Sequence, residues 1–198
     1  MRLFHRENAG RPPRVRWALE EVGAPYDWVV LTTEEVNSAE HRERHPLGRV
    51  PVLEDHEGSL YESAALCLHI ADEHPEARLI APLGSRERAL IYQWTLFAMT
   101  ELEPPMIETL RARDAPTAAS EAARERFIAA VGAIEGALAH SDYLVGDRFT
   151  VADIIVSAIL RSAARRELFA PSDRVAGYLE RLTSRPAYVR AYEEHQTR

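Results

Sequence analysis

A Val-Pro step at positions 50 and 51 and an acidic-hydroxyl pair at positions 62 and 63 have the residue types that could bind a small anionic peptide. Holding a bond before proline in the cis form costs only about 0.5–1 kcal/mol, so Val50-Pro51 can form a tight cis turn. Such a turn exposes the backbone N–H and C=O of Val50, and an extended peptide can pair with them as with a strand edge. Ser63 stands at the predicted start of a helix, where unpaired N–H groups attract an anion.

Each half of this pattern also has an ordinary structural explanation. Val-Pro steps are frequent in plain turns, and a serine at the start of a helix often does no more than cap it. The hypothesis of a binding site therefore depends on finding both halves at this spacing.

Composition and charge remove several classes of protein. The chain has 198 residues, 46% apolar and 28% charged, which is ordinary for a globular protein of one large or two small domains. The formal net charge of −7 argues against nucleic acid as a partner, and it gives no polybasic patch of the kind that binds a membrane. The start of the chain, MRLFHREN, lacks the apolar run of a signal peptide or a membrane helix, so we expect a cytoplasmic protein.

The cysteine and histidine content does not favour a disulfide framework or a metal centre. The single cysteine, Cys67, excludes an intramolecular disulfide and a cysteine-only zinc site. It lies among Leu66, Leu68 and Ile70 on a predicted helix, where a small buried core residue is expected rather than a nucleophile. The histidines are scattered along the chain, and we expect no metal ligation.

The first 75 residues alternate between strand and helix patterns. Val15, Ala18, Leu19 and Val22 recur on one helical face, and Gly23 ends that helix in the left-handed conformation that glycine adopts easily. The predicted elements are a strand at 1–4, a helix at 12–22, a strand at 26–31, a polar segment with a short exposed helix at 32–44, a hairpin of strands at 52–54 and 59–61, and a helix at 64–74. This order predicts a small α/β domain with a mixed sheet.

Helical patterns continue through the rest of the chain, where no strand pattern competes with them. Two prolines and a closing glycine in the segment PEARLIAPLG predict a linker, which we place at 76–85. Residues 86–198 are then predicted to form an all-α domain. Its first helical stretch should be broken or kinked at Pro104-Pro105, because proline interrupts the hydrogen bonds of a helix.

Two segments carry a resemblance to a known family. The segment HPLGRVPVL…YESAAL, residues 45–66, resembles the glutathione-binding half of cytosolic glutathione transferases. The segment GDRFTVADI, in which Thr150 and Asp153 form a predicted capping box, resembles the second-domain motif of the same superfamily. The resemblance implies a thioredoxin-like, glutathione-binding domain at 1–75, an all-helical domain at 86–198 that contributes the electrophile pocket, and a homodimer.

The same resemblance assigns roles to residues of the first domain. Val50, the residue before cis-Pro51, would pair with the cysteinyl backbone of glutathione. Glu62 and Ser63 would hold its γ-glutamyl end, and Arg49 would lie near its glycyl carboxylate. These roles agree with the anionic peptide site that the residue types themselves predict.

The chain departs from the family where the reaction takes place. Glutathione transferases place a serine, tyrosine or cysteine after the first strand, with its hydroxyl or thiol directed at the glutathione sulfur. Counted back from the segment RVRWALEE, that position falls at Ala9, Gly10 or Arg11, and no serine, tyrosine or cysteine precedes Tyr26. The usual activating group is missing.

Other groups near the N-terminus could stabilise a thiolate instead. The candidates are the Asn8 amide, the backbone N–H groups of Ala9, Gly10 and Arg11, and the Arg11 guanidinium, because the two prolines that follow have no N–H to offer. Residues 1–16 contain five arginines and one acid, a local basic patch that suits an anionic ligand. A solvated helix start is the plain structural explanation for that charge pattern.

The resemblance therefore implies attack of the glutathione thiolate on a small electrophile at the domain junction, a detoxification chemistry. Trp94 and Phe97 would line the apolar pocket for that electrophile, although their spacing also fits an ordinary helix core. The missing hydroxyl favours an alternative, a glutathione-binding or interaction module with little turnover. A glutathione-dependent isomerase of the zeta type is suggested by RVRWALEE, but its serine-cysteine motif is absent.

Overall fold

A computed structural model describes residues 1–192, and its internal packing divides the chain into two compact units. The first unit comprises Met1–Arg78 together with the described residues from Arg185 onward, and the second comprises Leu79–Ser184. The last helix of the described residues, at 186–192, thus packs with the first unit. The sequence placed it with the all-α domain.

The first unit contains a four-stranded mixed sheet in the order β2-β1-β3-β4. Its strands are β1 (Arg2–His5), β2 (Asp27–Val30), β3 (Val52–Glu54) and β4 (Ser59–Tyr61). Strand β1 is parallel to β2 and antiparallel to β3, and β3 and β4 form the predicted hairpin. Its helices are α1 (Pro12–Val22), α2 (Thr33–Val36), α3 (Ala39–Arg44), α4 (Ser63–Glu73), a short 3₁₀ turn (Pro75–Ala77) and, at the end of the chain, α10 (Pro186–Tyr192). The predicted α/β domain with a mixed sheet is confirmed.

Helix α1 packs against α4 and α10 because its apolar face is buried as the periodicity predicts. Gly23 ends the helix with φ 69°, in the left-handed region. On the side of α10, the Trp17 ring meets the Tyr188 ring edge to face, with centroids 5.1 Å apart. The Arg185 guanidinium also donates two hydrogen bonds of 2.7 Å to the Glu21 carboxylate, so the chain end is held to α1 by both apolar and ionic contacts.

The second unit is built from helices throughout its length. They are α5 (Arg86–Phe97), a π-helical turn (Ala98–Leu102), α6 (Glu103–Arg111), α7 (Ala118–Ala137), α8 (Val151–Arg165) and α9 (Asp173–Thr183). The interruption predicted at Pro104-Pro105 is present, but it starts at Ala98, and the two prolines lie in the first turn of α6, where proline is tolerated. No helix within residues 1–192 is long and apolar enough to cross a membrane.

The capping box at the start of α8 is a buried hydrogen-bond centre. Asp153 is fully buried, and its Oδ1 accepts hydrogen bonds from the Leu144 N–H and the Tyr178 hydroxyl, both at 3.0 Å. Its Oδ2 accepts from the Thr150 N–H at 2.8 Å and from the Thr150 hydroxyl at 3.1 Å. Burial raises the pKa of the Asp153 carboxyl, although these donors act in the opposite direction. The predicted capping box therefore also ties the preceding loop and α9 to α8.

We expect Asp153→Ala to lower the free energy of unfolding by about 2–5 kcal/mol, because two backbone N–H groups and a tyrosine hydroxyl lose their acceptor in the core. Thermal or urea unfolding of the isolated variant measures the effect. The matched control is Glu35→Ala, which opens the solvent-exposed capping box of Thr32 and Glu35 and should cost much less. Equal losses in the two variants would contradict a buried network at Asp153.

Candidate functional site

One small depression in the first unit brings together all five of the predicted glutathione-binding residues. Its lining residues are Arg11, His45, Arg49, Val50, Pro51, Glu62 and Ser63. They come from three separate parts of the chain: the start of α1, the connection from α3 to β3, and the connection from β4 to α4. Of the four residues predicted to stabilise the sulfur, Arg11 lines this depression, and Asn8, Ala9 and Gly10 are not among its lining residues.

The connection from α3 to β3 has a defined backbone. The Val50-Pro51 bond is cis, as the sequence predicts. Gly48 has φ 58°, and a Cβ at this position would lie 3.0 Å from the Val36 carbonyl oxygen, so both conformation and space require glycine. Between them, the carbonyl oxygen of Arg49 accepts a hydrogen bond of 3.0 Å from Nε2 of His41.

Glu62 turns the chain from β4 into α4 with an unusual backbone. Its φ is 71° and its ψ is 105°, a conformation that costs a non-glycine residue of order 1–3 kcal/mol. Glu62 is the N-cap of α4, and its carbonyl accepts the first helical hydrogen bond from the Leu66 N–H at 2.9 Å, but its side chain does not cap the helix. Backbone strain of this kind is concentrated at sites where ligands bind.

Ser63 is the first residue of α4, so the explanation of it as an ordinary capping serine is wrong. The side chain is 1% exposed, and its Oγ has no hydrogen-bond partner among the described residues. A buried hydroxyl without a partner is costly, and such groups are rare in native proteins. Ser63 lines the depression at the N-terminus of the eleven-residue helix α4, where the backbone N–H groups also favour an anion.

The donors predicted in the loop between β1 and α1 differ in burial and in hydrogen bonding. Arg11 is half-buried and is the N-cap of α1, and Pro12 and Pro13 follow in the first turn as predicted. The Ala9 N–H donates to the Arg6 carbonyl at 3.2 Å, so this predicted donor is engaged within the turn. Asn8 is exposed and has φ 61°.

Two buried histidines were missed by the sequence interpretation, which treated the histidines as scattered: His45 lines the depression, and His41 contacts the lining residue Arg49. His41 and His45 lie four residues apart at the end of α3, and both are buried. Nδ1 of His45 accepts a hydrogen bond of 3.1 Å from the Leu47 N–H, and burial lowers the pKa of His45 while the nearby Glu62 opposes that shift. The sequence feature that could have indicated them is their spacing of four residues, which places both histidines on one helical face just before the turn at Gly48.

The predicted electrophile residues belong to the second unit. Trp94 and Phe97 lie on the last turns of α5, half-buried, with ring centroids 5.4 Å apart in an edge-to-face arrangement. Leu96 beside them is 63% exposed. The structure thus brings these two aromatic side chains together next to the π-helical turn.

Cys67 has the environment of a core residue, as predicted. It is fully buried on α4, and its thiol donates a long hydrogen bond of 3.6 Å to the Arg14 carbonyl. Burial raises the pKa of the Cys67 thiol to about 12, so almost none of it is thiolate at neutral pH. This environment excludes Cys67 as the reactive group.

Comparisons with known proteins identify the family of the chain. Residues 13–78 match the family model of the glutathione S-transferase N-terminal domain, and residues 117–192 match that of the C-terminal domain. The chain is 28% identical to glutathione S-transferase 4 of Zea mays over 88% of its own length and 83% of the relative's. It is 35% identical to elongation factor 1-gamma of Prunus avium over 61% of its own length, which is 29% of that protein.

A solved structure extends the similarity to the whole chain. The sphingomonad glutathione S-transferase complexed with glutathione superposes with a TM-score of 0.85 and 26% identity, over 100% of both chains. With both family models matched and the predicted binding residues gathered in one depression, the chain belongs to the glutathione S-transferase superfamily.

Proposed function

We propose that this chain binds glutathione in the depression of the first unit and conjugates its thiolate to a small electrophile in the cytoplasm. The observation that carries the proposal is the buried hydroxyl of Ser63, which has no hydrogen-bond partner among the described residues and belongs to a residue that lines the depression beside the strained Glu62. A carboxylate of the ligand would satisfy both this hydroxyl and the first N–H groups of α4.

The other lining residues complement the remaining groups of glutathione. The Glu62 carboxylate suits the ammonium of the γ-glutamyl end, and the backbone of Val50 suits an extended cysteinyl residue. Arg49, with His45 beside it, suits the glycyl carboxylate. The lining residues thus offer both charge signs that a tripeptide with charged ends requires.

Thiol activation is assigned to Arg11. A free thiol has a pKa near 8.5, so only a few per cent is thiolate at neutral pH. A guanidinium about 4 Å from sulfur stabilises the thiolate by about 4 kcal/mol at an effective dielectric constant near 20, which is comparable to the hydrogen bond that a serine or tyrosine would supply. Arg11 lines the depression and is half-buried, so solvent screens it less than a fully exposed arginine.

A second candidate function is a glutathione-binding or interaction module with little turnover. It is favoured by the absence of serine, tyrosine and cysteine before Tyr26 and by the partial similarity to elongation factor 1-gamma. A glutathione-dependent isomerase has weaker support, because the chain lacks the serine-cysteine motif. Glutathione consumption with a panel of aryl halides, epoxides, isothiocyanates and peroxides separates a transferase from a binding module.

We also infer a homodimer, as is usual for this superfamily, and an electrophile-binding role for Trp94 and Phe97. Their half-buried, edge-to-face rings offer an apolar surface suited to a flat hydrophobic group.

Calorimetry with reduced glutathione should show binding with a dissociation constant well below 10 mM, and Ser63→Ala should weaken it by about 1–3 kcal/mol, the range for a hydrogen bond to a charged group. The Ser63→Ala chain should be no less stable, since the hydroxyl it removes has no partner among the described residues. The matched control is Thr95→Val, which removes a buried hydroxyl that is likewise unpartnered within the described chain but belongs to the second unit. Undiminished affinity in Ser63→Ala would remove Ser63 from the site.

Arg11→Ala should raise the pKa of bound glutathione by one unit or more, since one unit corresponds to about 1.4 kcal/mol of lost thiolate stabilisation. Thiolate absorbance recorded across pH at saturating glutathione measures this pKa. Arg11→Lys keeps a cation and should fall between wild type and alanine, whereas Arg6→Ala, at an exposed position, should match wild type. A wild-type pKa near the free value that Arg11→Ala does not move would favour the binding module.

Glu62→Gly should separate stability from binding. Glycine adopts a positive φ without penalty, so the free energy of unfolding should stay equal or rise by about 1 kcal/mol or less, once the greater chain entropy of unfolded glycine is counted. Urea unfolding measures this change. The same variant should bind glutathione more weakly, because it loses the carboxylate that suits the ligand's ammonium. A variant that is clearly less stable than wild type would show that the Glu62 side chain holds the fold.

A further inference from the structure

The hydrogen bond between His41 and Arg49 is not explained by direct contact with glutathione, because His41 is not among the residues that line the depression. His41 is 1% exposed on α3, and its Nε2 lies 3.0 Å from the Arg49 carbonyl oxygen. A carbonyl oxygen only accepts, so Nε2 must carry the proton. Nδ1 of the same ring is buried and has no hydrogen-bond partner among the described residues, so the Nε2–H group is the polar contact that the ring makes.

This hydrogen bond restrains the orientation of a peptide plane that belongs to the binding site. The carbonyl of Arg49 and the N–H of Val50 are two ends of one planar trans peptide group, and they point in opposite directions. Fixing the direction of the Arg49 carbonyl therefore fixes the direction of the Val50 N–H. That N–H is the group proposed to pair with the cysteinyl backbone of glutathione.

The neighbouring peptide groups are held in other ways. The Gly48 N–H donates to the His45 carbonyl at 2.8 Å, and the Leu47 N–H donates to Nδ1 of His45 at 3.1 Å. A side chain at Gly48 is disfavoured by its positive φ and by the Val36 carbonyl oxygen, which would lie 3.0 Å from a Cβ. These bonds hold the chain up to Gly48, and the His41 bond continues the same restraint to the peptide plane that precedes Val50.

We propose that His41 is a positioning residue for ligand binding: its Nε2–H holds the Arg49–Val50 peptide plane so that the Val50 N–H is presented to an extended peptide. The proposal rests on the proposed glutathione site. It differs from a plain packing role, in which any side chain that fills the space of the ring would serve equally.

Substitution of His41 by glutamine or by asparagine distinguishes the positioning role from the packing role. The glutamine side-chain nitrogen is as many bonds from Cα as Nε2 of histidine, whereas the asparagine nitrogen matches Nδ1. His41→Gln therefore keeps a donor for the Arg49 carbonyl, and it loses nothing at Nδ1, where no partner is present among residues 1–192. His41→Asn and His41→Leu both lose the donor at Nε2. The control is His56→Gln in the exposed turn between β3 and β4.

The experiment measures affinity for reduced glutathione by calorimetry and the melting temperature of each chain. We expect His41→Gln to bind within about twofold of wild type, and His41→Asn and His41→Leu to bind roughly five- to tenfold more weakly, the factor that one neutral hydrogen bond is worth. His56→Gln should equal wild type. Equal weakening in the glutamine, asparagine and leucine variants, or weakening that follows the melting temperature alone, would overturn the proposal.

A second measurement without ligand keeps this test separate from the proposed function. Backbone NMR order parameters of Arg49 and Val50 should be high in wild type and His41→Gln and lower in His41→Asn and His41→Leu. If wild type binds no glutathione, the proposed function fails, and these order parameters then decide the role of His41 alone. Equal order in all four chains would overturn the positioning role.

Discussion

The left-handed backbone of Glu62 is the constraint on which the site depends. It ends strand β4 and starts helix α4 within one residue, so the helix begins at the edge of the depression without a side-chain cap from Glu62. Ser63 follows directly and is buried with its hydroxyl unpaired among the described residues. A relaxed turn at this position would allow an ordinary cap. The strain and the unsatisfied hydroxyl are therefore two aspects of one arrangement that a ligand can complete.

Features set by local sequence were predicted well. The helical face from Val15 to Val22, the hairpin around DHEG, the cis Val50-Pro51 bond and the capping box at Asp153 each depend on residues close together in the chain, and each is present. Burial of Cys67 followed in the same way from its apolar neighbours.

The features that the sequence did not predict depend on contacts between distant segments, or on residue types that fit two different local structures. A serine after a strand reads equally well as a cap or as the first helical residue, and only the φ of Glu62 decides between them. The His41 bond to Arg49 joins two polar-looking segments, so no apolar pattern indicated that His41 is buried. The departure from α-helix at Ala98 precedes the prolines that suggested it, because Pro104 and Pro105 fit the first turn of the following helix.

The placement of α10 with the first unit changes the order in which the protein can be completed. Residues 79–184 interrupt the first unit, so Tyr188 and Arg185, which contact α1, are synthesised only after the whole second unit. A chain emerging from the ribosome therefore has its sheet and the face of Trp17 available long before their covering helix exists. The sheet-containing unit therefore starts to form before the second unit is made but can finish packing only after it.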